Sequence, residues 1–185
     1  MWSRKGFIKA WVMAGVLAGG LAGGTHAALD VGDRAPDFTT AAALAGQPFR
    51  FSLADALAKG PVVLYFFPAA FSEGCSIEAH EFSEAIAQFQ ALGATVVGVS
   101  GDDIELLSRF SVKACNGKFA VASDESKAIM KSFDAVMQTR PDYANRVSYV
   151  IAPNGKVVYS YMSLNPLKHV DNTLAALRDW KKQAQ

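Results

Sequence analysis

Residues 61–78 read PVVLYFFPAAFSEGCSIE. The first part is a continuous apolar run rich in valine and aromatic residues, which is typical of a central strand buried on both faces. Pro68 ends this strand, and apolar residues at helical spacing follow from Ser72 to Leu92. The segment therefore predicts a strand, a short loop and a long helix that carries Cys75 in its first turn.

Strands and helices are predicted to alternate along the rest of the chain. We predict strands at residues 48–53, 94–100, 119–122, 147–151 and 156–161, and helices at 103–113, 124–136 and 167–182. This alternation indicates an α/β sheet with helices on both faces. Residues 153–155, Pro-Asn-Gly, predict a hairpin between the last two strands, so the sheet should be mixed. The order suits a thioredoxin-like fold, and no linker divides residues 28–185, which we predict to be one domain.

The first 27 residues have the layout of a secretory signal peptide. Arg4, Lys5 and Lys9 form a basic start, residues 10–24 carry no charge, and small residues lead to a cleavage site after Ala27. We therefore predict export, to the periplasm, and no stable membrane association. An uncleaved anchor is the alternative, but the run is short and glycine-rich for a span of roughly 20 residues. The choice between the general and the twin-arginine export route stays open.

The composition gives no reason to expect nucleic acid as a partner, and it allows the chain to fold without a disulfide scaffold. The chain has 18 basic and 17 acidic residues, a net charge of +1, which gives no electrostatic reason to expect nucleic acid. Its 51% hydrophobic residues allow a substantial core without a disulfide scaffold. Cys75 and Cys115 are the only cysteines.

The predicted position of Cys75 favours a reactive thiol. The first amide groups of a helix lack partners, and the helix dipole places its positive end there, so both stabilise a thiolate relative to a thiol. The plain alternative is a small buried hydrophobe. The position after a strand and at a helix start, where ligands gather in α/β sheets, favours the reactive role.

A resemblance to a known family makes this prediction specific. Pro68, Ser72 and Cys75 fall on the Pro-x-x-x-Thr/Ser-x-x-Cys signature of the peroxiredoxins, and residues 32–38, GDRAPDF, are similar to the G-x-x-A-P-x-F opening of that family. From about residue 31 onward the chain resembles the AhpC/TSA superfamily, in its PrxQ or bacterioferritin-comigratory branch. The resemblance implies a thiol-dependent peroxidase for hydrogen peroxide and organic hydroperoxides. Cys75 would become a sulfenic acid, Ser72 would hold the peroxide, and Pro68 would shield the sulfur.

The resemblance also assigns two charged residues. Glu78 matches an acidic position that orients the arginine of the site, and Arg146 matches that arginine at the start of a late strand. Strand alternation sets Arg146 on the face opposite Val147. A surface Glu78 and a solvated Arg146 are the plain alternatives. Arg140 competes for the second role, although the proline after it indicates a loop.

The resemblance leaves the recycling step open. Many members of the branch carry a resolving cysteine five residues after the first, a position that is His80 here. Cys115 is then the candidate resolving cysteine, while a free buried thiol or a static disulfide are its alternatives. A thioredoxin-like or other thiol reductant is the implied partner, and a monomer or weak dimer is expected, with no cofactor and no metal.

Other function classes find less support. A disulfide oxidoreductase of the thioredoxin type needs Cys-x-x-Cys, and a serine hydrolase of the α/β class needs G-x-S-x-G; both are absent. Cys75, His80 and His169 do not form a recognisable metal spacing. The remaining alternative is an exported redox, binding or chaperone module of the thioredoxin fold without peroxidase activity.

Overall fold

The computed structural model describes residues 28–184, so the predicted signal peptide lies outside the described residues. The strands are β1 (Thr39–Leu44), β2 (Gln47–Ser52), β3 (Val62–Phe66), β4 (Thr95–Ser100), β5 (Ala120–Ser123), β6 (Val147–Ile151) and β7 (Val157–Met162). The helices are α1 (Leu53–Leu57), α2 (Glu73–Ala91), α3 (Ile104–Lys113), α4 (Ala128–Ser132) and α5 (His169–Gln183), with a 3-10 turn at Pro166–Lys168. No helix in this part of the chain has the length and apolarity of a membrane span.

The strands form one seven-stranded mixed sheet in the order β2-β1-β5-β4-β3-β6-β7. β4 pairs in parallel with β3 and with β5, whereas the other neighbours pair antiparallel. Every residue of β3 is buried, as its continuous apolar sequence requires. The predicted hairpin joins β6 and β7, and Gly155 supplies the positive φ of 79° in its turn.

Each face of the sheet carries its own apolar core. One core packs Leu53 of α1 and Met130 of α4 against the sheet. The other core packs Phe82 of α2, Phe110 of α3 and Leu177 of α5 against the opposite face. The predicted α/β class, with a mixed sheet and helices on both faces, is therefore confirmed.

The predicted helix at residues 124–136 is wrong in extent, because α4 covers only five residues. The buried carboxylate of Asp124 accepts hydrogen bonds from the backbone N–H groups of Ile129 and Met130, at 3.1 and 2.8 Å. Lys127 before the helix and Asp134 after it both have positive φ. The chain therefore loops into α4 and out of it instead of continuing as one helix.

Two elements were not predicted from the sequence. β1 has the sequence TTAAAL, in which alanine gives little strand preference, and α1 has only five residues. β1 lies between β2 and β5 and completes the sheet on the side away from β6. The other predicted elements agree with the structure within a few residues at each end.

Aromatic stacking fixes α2, the helix that carries Cys75, above the centre of the sheet. The Phe82 ring of α2 stacks on the Tyr65 ring of β3 with centroids 4.4 Å apart, and Phe89 lies 5.8 Å further along. All three side chains are fully buried. Because these rings bury large apolar areas in defined geometry, they set the height of α2 over β3.

Replacing Phe82 with alanine should therefore destabilise the protein strongly. We expect the free energy of unfolding of Phe82→Ala to fall by about 3–5 kcal/mol, because the change leaves a cavity under α2. Phe49→Ala is the matched control, since Phe49 is 42% exposed. Urea unfolding of both variants measures the difference, and equal losses in the two variants would contradict this account of α2.

Candidate active site

Cys75 lies in the first turn of α2 and is only 1% exposed. The helix begins at Glu73, with Ser72 at the N-cap position, so the predicted placement of the cysteine is confirmed. The Ser72 side chain makes no cap hydrogen bond. The first amide groups of α2 therefore keep their capacity to stabilise an anion at the position of the sulfur.

The loop before the helix holds the other two residues of the signature. Pro68 follows β3 and is half-buried, and Ser72 is exposed. The Ser72 hydroxyl donates to the Ala69 carbonyl at 3.0 Å, so it stabilises the loop and not the helix amides. Phe71 has a φ of 63° and packs edge-on against Phe110 of α3 at 5.3 Å. The loop is therefore a tight turn, and the Phe71 side chain packs it against α3.

Asp102 secures this loop from the next strand and was not found from the sequence. Its Oδ2 accepts from the Ala70 N–H at 2.7 Å and from the Ser100 hydroxyl at 2.8 Å. The two carboxyl ends of the parallel strands β3 and β4 meet at this edge of the sheet. The available sequence signal was that Asp102 lies just beyond the end of β4, where side chains face the loop that follows β3.

Arg146 brings a positive charge to Cys75. Its Nη2 donates to the Cys75 Sγ at 3.4 Å, its Nη1 donates to Oε2 of Glu78, and its Nε donates to the Leu164 carbonyl at 3.1 Å. Arg146 is 5% exposed, and Glu78 is fully buried. The structure thus brings Arg146 to Cys75 and Glu78, two predicted site residues of α2 that are far from it in sequence, and fixes the guanidinium through all of its nitrogen atoms.

Arg140, the competing arginine, lies elsewhere. It is exposed, and its guanidinium carbon lies 4.0 Å from the centre of the Tyr143 ring. His80 on α2 is exposed as well. Within residues 28–184 no group of histidine, cysteine and acidic side chains is arranged to hold a metal ion.

Burial dominates the ionisation of the pair formed by Glu78 and Arg146. Burial raises the pKa of Glu78 to about 8, although the Arg146 charge and hydrogen bond oppose that shift. Burial also disfavours the charge of Arg146, but Glu78 and Cys75 outweigh this effect and the pKa of Arg146 is raised. The arginine therefore stays charged at every physiological pH, whereas Glu78 is a carboxyl group that titrates near neutrality.

His169 extends the site to the last helix and was considered from the sequence only as a metal ligand. It is fully buried at the start of α5. Its Nδ1 lies 2.8 Å from the Ser148 hydroxyl and 3.6 Å from Oε1 of Glu78, and its Nε2 lies 2.9 Å from the Ser163 carbonyl. Burial lowers the pKa of His169 to about 4. No local sequence pattern links this histidine to Cys75, since 94 positions separate the two residues.

Cys115 follows α3 and is fully buried in the same apolar core as Cys75. Both cysteines are free thiols in the structure. Burial raises the pKa of the Cys115 thiol. Burial also raises the pKa of Tyr65, in the same core, well above its ordinary value.

Comparison with known proteins identifies the family. The sequence profile of the AhpC/TSA family matches residues 31–160, more than half of the chain. The chain is a member of the AhpC/TSA family.

Its relatives are peroxiredoxins of the predicted branch. The protein is 33% identical over 148 residues to the chloroplastic peroxiredoxin Q of rice (Oryza sativa subsp. japonica), and the match covers 80% of the chain and 66% of the relative. It is 30% identical over 128 residues to the peroxiredoxin Bcp of Xanthomonas campestris pv. campestris, with 66% of the chain and 79% of the relative covered. The chain thus spans just under two thirds of the length of the rice relative.

Solved structures agree with this placement. The peroxidoxin BcpB of Mycobacterium tuberculosis superposes with a TM-score of 0.70 at 29% identity, covering 80% of the chain and 96% of that structure. Peroxiredoxin Q of Xanthomonas campestris gives a TM-score of 0.67 at 27% identity, covering 76% and 90%. The predicted family, its PrxQ and Bcp branch and the thioredoxin-like fold are confirmed.

The structure makes Gly74 a further residue that the site requires. A Cβ atom at this position would lie 3.1 Å from Nη2 of Arg146, the nitrogen that donates to Cys75. We expect Gly74→Ala to displace the guanidinium and to lower the rate of reaction with peroxide by about tenfold or more, because small misplacements at a reacting centre are costly. Stopped-flow measurement of the reduced protein tests this.

Ser76→Ala is the matched control for Gly74→Ala, since it changes a half-buried residue of the same helical turn. It should retain most of the rate. A Gly74→Ala variant that reacts as fast as Ser76→Ala would show that the guanidinium does not need its present position.

Proposed function

We propose that the protein is a thiol-dependent peroxidase that reduces hydrogen peroxide and organic hydroperoxides. The observation that carries the proposal is the Cys75 sulfur at a helix start with the Arg146 guanidinium 3.4 Å away. Peroxiredoxin Q and Bcp relatives support the same activity. No observation in the described residues favours the alternative of a binding or chaperone module.

The first step is a displacement at oxygen. The Cys75 thiolate attacks the terminal oxygen of the peroxide, an S–O bond forms, and the O–O bond breaks. Cys75 becomes a sulfenic acid, and the second oxygen leaves as hydroxide or alkoxide, which takes up a proton to give water or alcohol. Sulfur is oxidised by two electrons and the peroxide is reduced by two.

The site supplies donors where negative charge moves during this step. The thiolate charge passes to the leaving oxygen, and a donor already in place stabilises it there without reorganisation. Arg146 and the first amide groups of α2 are such donors in the structure, and Ser72 lies at the mouth of the same turn. We propose that Ser72 turns its hydroxyl from the Ala69 carbonyl to the bound peroxide, and that Pro68 shields the sulfur from water.

Substitution of Cys75 and Arg146 tests this mechanism. Cys75→Ser should abolish peroxide consumption, because a hydroxyl is not ionised at neutral pH. Arg146→Lys keeps the charge but loses the planar fork, so we expect the rate constant with peroxide to fall by roughly 100-fold. Arg140→Lys is the control and should retain the wild-type rate. Substantial peroxidase activity in Cys75→Ser would refute the proposed function.

We further propose that Cys115 resolves the sulfenic acid. The Cys115 sulfur would attack the Cys75 sulfur, an S–S bond would form, and the hydroxyl of the sulfenic acid would leave as water. Both cysteines lie in the same apolar core, on one face of the sheet. Cys115 is fully buried as a thiol, so the reaction requires local unwinding at the start of α2 and at the end of α3.

Peptide mass spectrometry under non-reducing conditions tests the resolving role. After one equivalent of hydrogen peroxide, the wild type should yield a peptide pair joined through Cys75 and Cys115. The Cys115→Ser variant should instead accumulate a sulfenic acid that a dimedone reagent traps. If the wild type also yields only trapped sulfenic acid, an external thiol performs the second step and Cys115 is a buried structural thiol.

The remaining expectations are proposals about the cellular setting. A thioredoxin-like or other thiol reductant would return Cys75 to the thiol by supplying two electrons. Export to the periplasm rests on the basic start and the uncharged run of the first 27 residues. We propose that the protein acts as a monomer or weak dimer without nucleic acid, metal or cofactor.

A further inference from the structure

One carboxyl oxygen of Glu78 lies buried beside the site without a hydrogen-bond partner among residues 28–184. Within the described residues, Oε1 of Glu78 is buried and has no hydrogen-bond partner, while Oε2 of the same carboxyl accepts from Arg146. A buried carboxylate oxygen without a donor is costly in free energy. Its nearest polar neighbour on the last helix is Nδ1 of His169, 3.6 Å away.

The tautomer of His169 is set by its other contact. A carbonyl can only accept, so Nε2 carries the proton and donates to the Ser163 carbonyl at 2.9 Å. In the neutral ring Nδ1 is therefore a bare lone pair, to which the Ser148 hydroxyl at 2.8 Å can donate. If Glu78 were ionised, a lone pair of its Oε1 would face the lone pair of Nδ1, and neither atom could donate a hydrogen bond to the other.

One additional proton removes this conflict. If Glu78 carries the proton, Oε1 becomes a donor toward Nδ1, 3.6 Å away, and the Ser148 hydroxyl rotates away from that lone pair. If His169 carries the proton, its Nδ1–H is shared between two acceptors, Oε1 and the Ser148 hydroxyl oxygen. Both arrangements have the same proton count, and the two residues then titrate as one unit. In both of them the combined charge of Glu78 and His169 is zero.

We propose that Glu78 and His169 hold one shared proton in the active enzyme, and that this proton keeps the positive charge of Arg146 available to Cys75 and to the leaving oxygen. His169 is thus a positioning residue that acts through Glu78 and Arg146. Loss of the proton would place a full negative charge against the guanidinium, weaken its attraction for the anionic transition state, and slow the reaction. The proposal rests on the role of Arg146 stated under Proposed function.

The surroundings of the pair allow this behaviour. The groups that face it are Cys75 from α2, Tyr65 from β3, Arg146 at the start of β6, and Tyr161 from β7, whose ring lies 4.9 Å from the His169 ring. Tyr65 stays neutral because burial raises its pKa, and Arg146 stays charged. The raised pKa of Glu78, about 8, and the lowered pKa of His169, about 4, bracket a range in which the pair holds one proton.

The pH dependence of the reaction tests the proposal. The second-order rate constant of the reduced protein with hydrogen peroxide should rise with the thiolate fraction and then fall by roughly tenfold between about pH 7 and pH 9 as the shared proton leaves. Glu78→Gln reproduces the protonated group, because its amide oxygen accepts from Arg146 and its amide N–H can donate to Nδ1. This variant should lose the alkaline decline.

Two controls make the measurement specific. Glu84→Gln changes an exposed glutamate of the same helix, paired with Lys118, and should leave the alkaline decline in place. His169→Asn keeps an acceptor near the position of Nδ1 and should preserve the decline, whereas His169→Leu removes the acceptor and should move it to lower pH. Circular dichroism and urea unfolding verify that each variant is folded.

The wild type alone provides a second measurement if a variant does not fold. Infrared difference spectroscopy should show a protonated carboxyl band that disappears over the same pH range as the reactivity. An alkaline decline that persists in Glu78→Gln, or a Glu78→Gln variant that is inactive at every pH, would overturn the proposal. A wild type that fails to react with peroxide would refute the proposed function, while the infrared titration would still report on the shared proton.

Discussion

The site depends on the placement of one guanidinium in a dry interior. Arg146 is 5% exposed and donates to the Cys75 sulfur, to the Glu78 carboxyl and to the Leu164 carbonyl. A buried cation of this kind persists only where anions and dipoles surround it on every side. Pairing of β6 with β3 places Arg146 beside the start of α2, so that α2 and the segment after β7, which carries Leu164, both contact the planar group.

The same constraint explains which parts of the molecule are rigid. Aromatic stacking between Tyr65 and Phe82 fixes the height of α2, and Asp102 fixes the loop that precedes it. At Gly74 the guanidinium approaches α2 so closely that a Cβ atom would lie 3.1 Å from its Nη2. The residues packed between the sheet and α2 therefore contribute to both stability and chemistry. Any shift of α2 also moves the Cys75 sulfur relative to the Arg146 guanidinium.

Much of this arrangement could be predicted from the sequence, and the limits have physical reasons. The strand, loop and helix of residues 61–78 are specified by local periodicity and by Pro68, and so is the position of Cys75 at the helix start. Arg146 and Glu78 came from resemblance to a family, since no local pattern links residues so far apart. The contacts of His169 with Glu78 and of Asp102 with the loop after β3 could not be predicted, because they arise only where separate elements meet in space. Strand β1 was not predicted because its alanine-rich sequence carries little local preference. Helix α4 was predicted too long because apolar spacing does not show that Asp124 binds the N–H groups of Ile129 and Met130, or that Lys127 and Asp134 have positive φ.

The order in which the site is completed along the chain has a consequence for biosynthesis. Cys75 emerges from the ribosome early, whereas Arg146 and His169 belong to the last third of the polypeptide. A nascent chain therefore exposes the cysteine before its guanidinium partner has been made. The contact between Arg146 and the Cys75 sulfur can form only once the last third of the polypeptide is being synthesised.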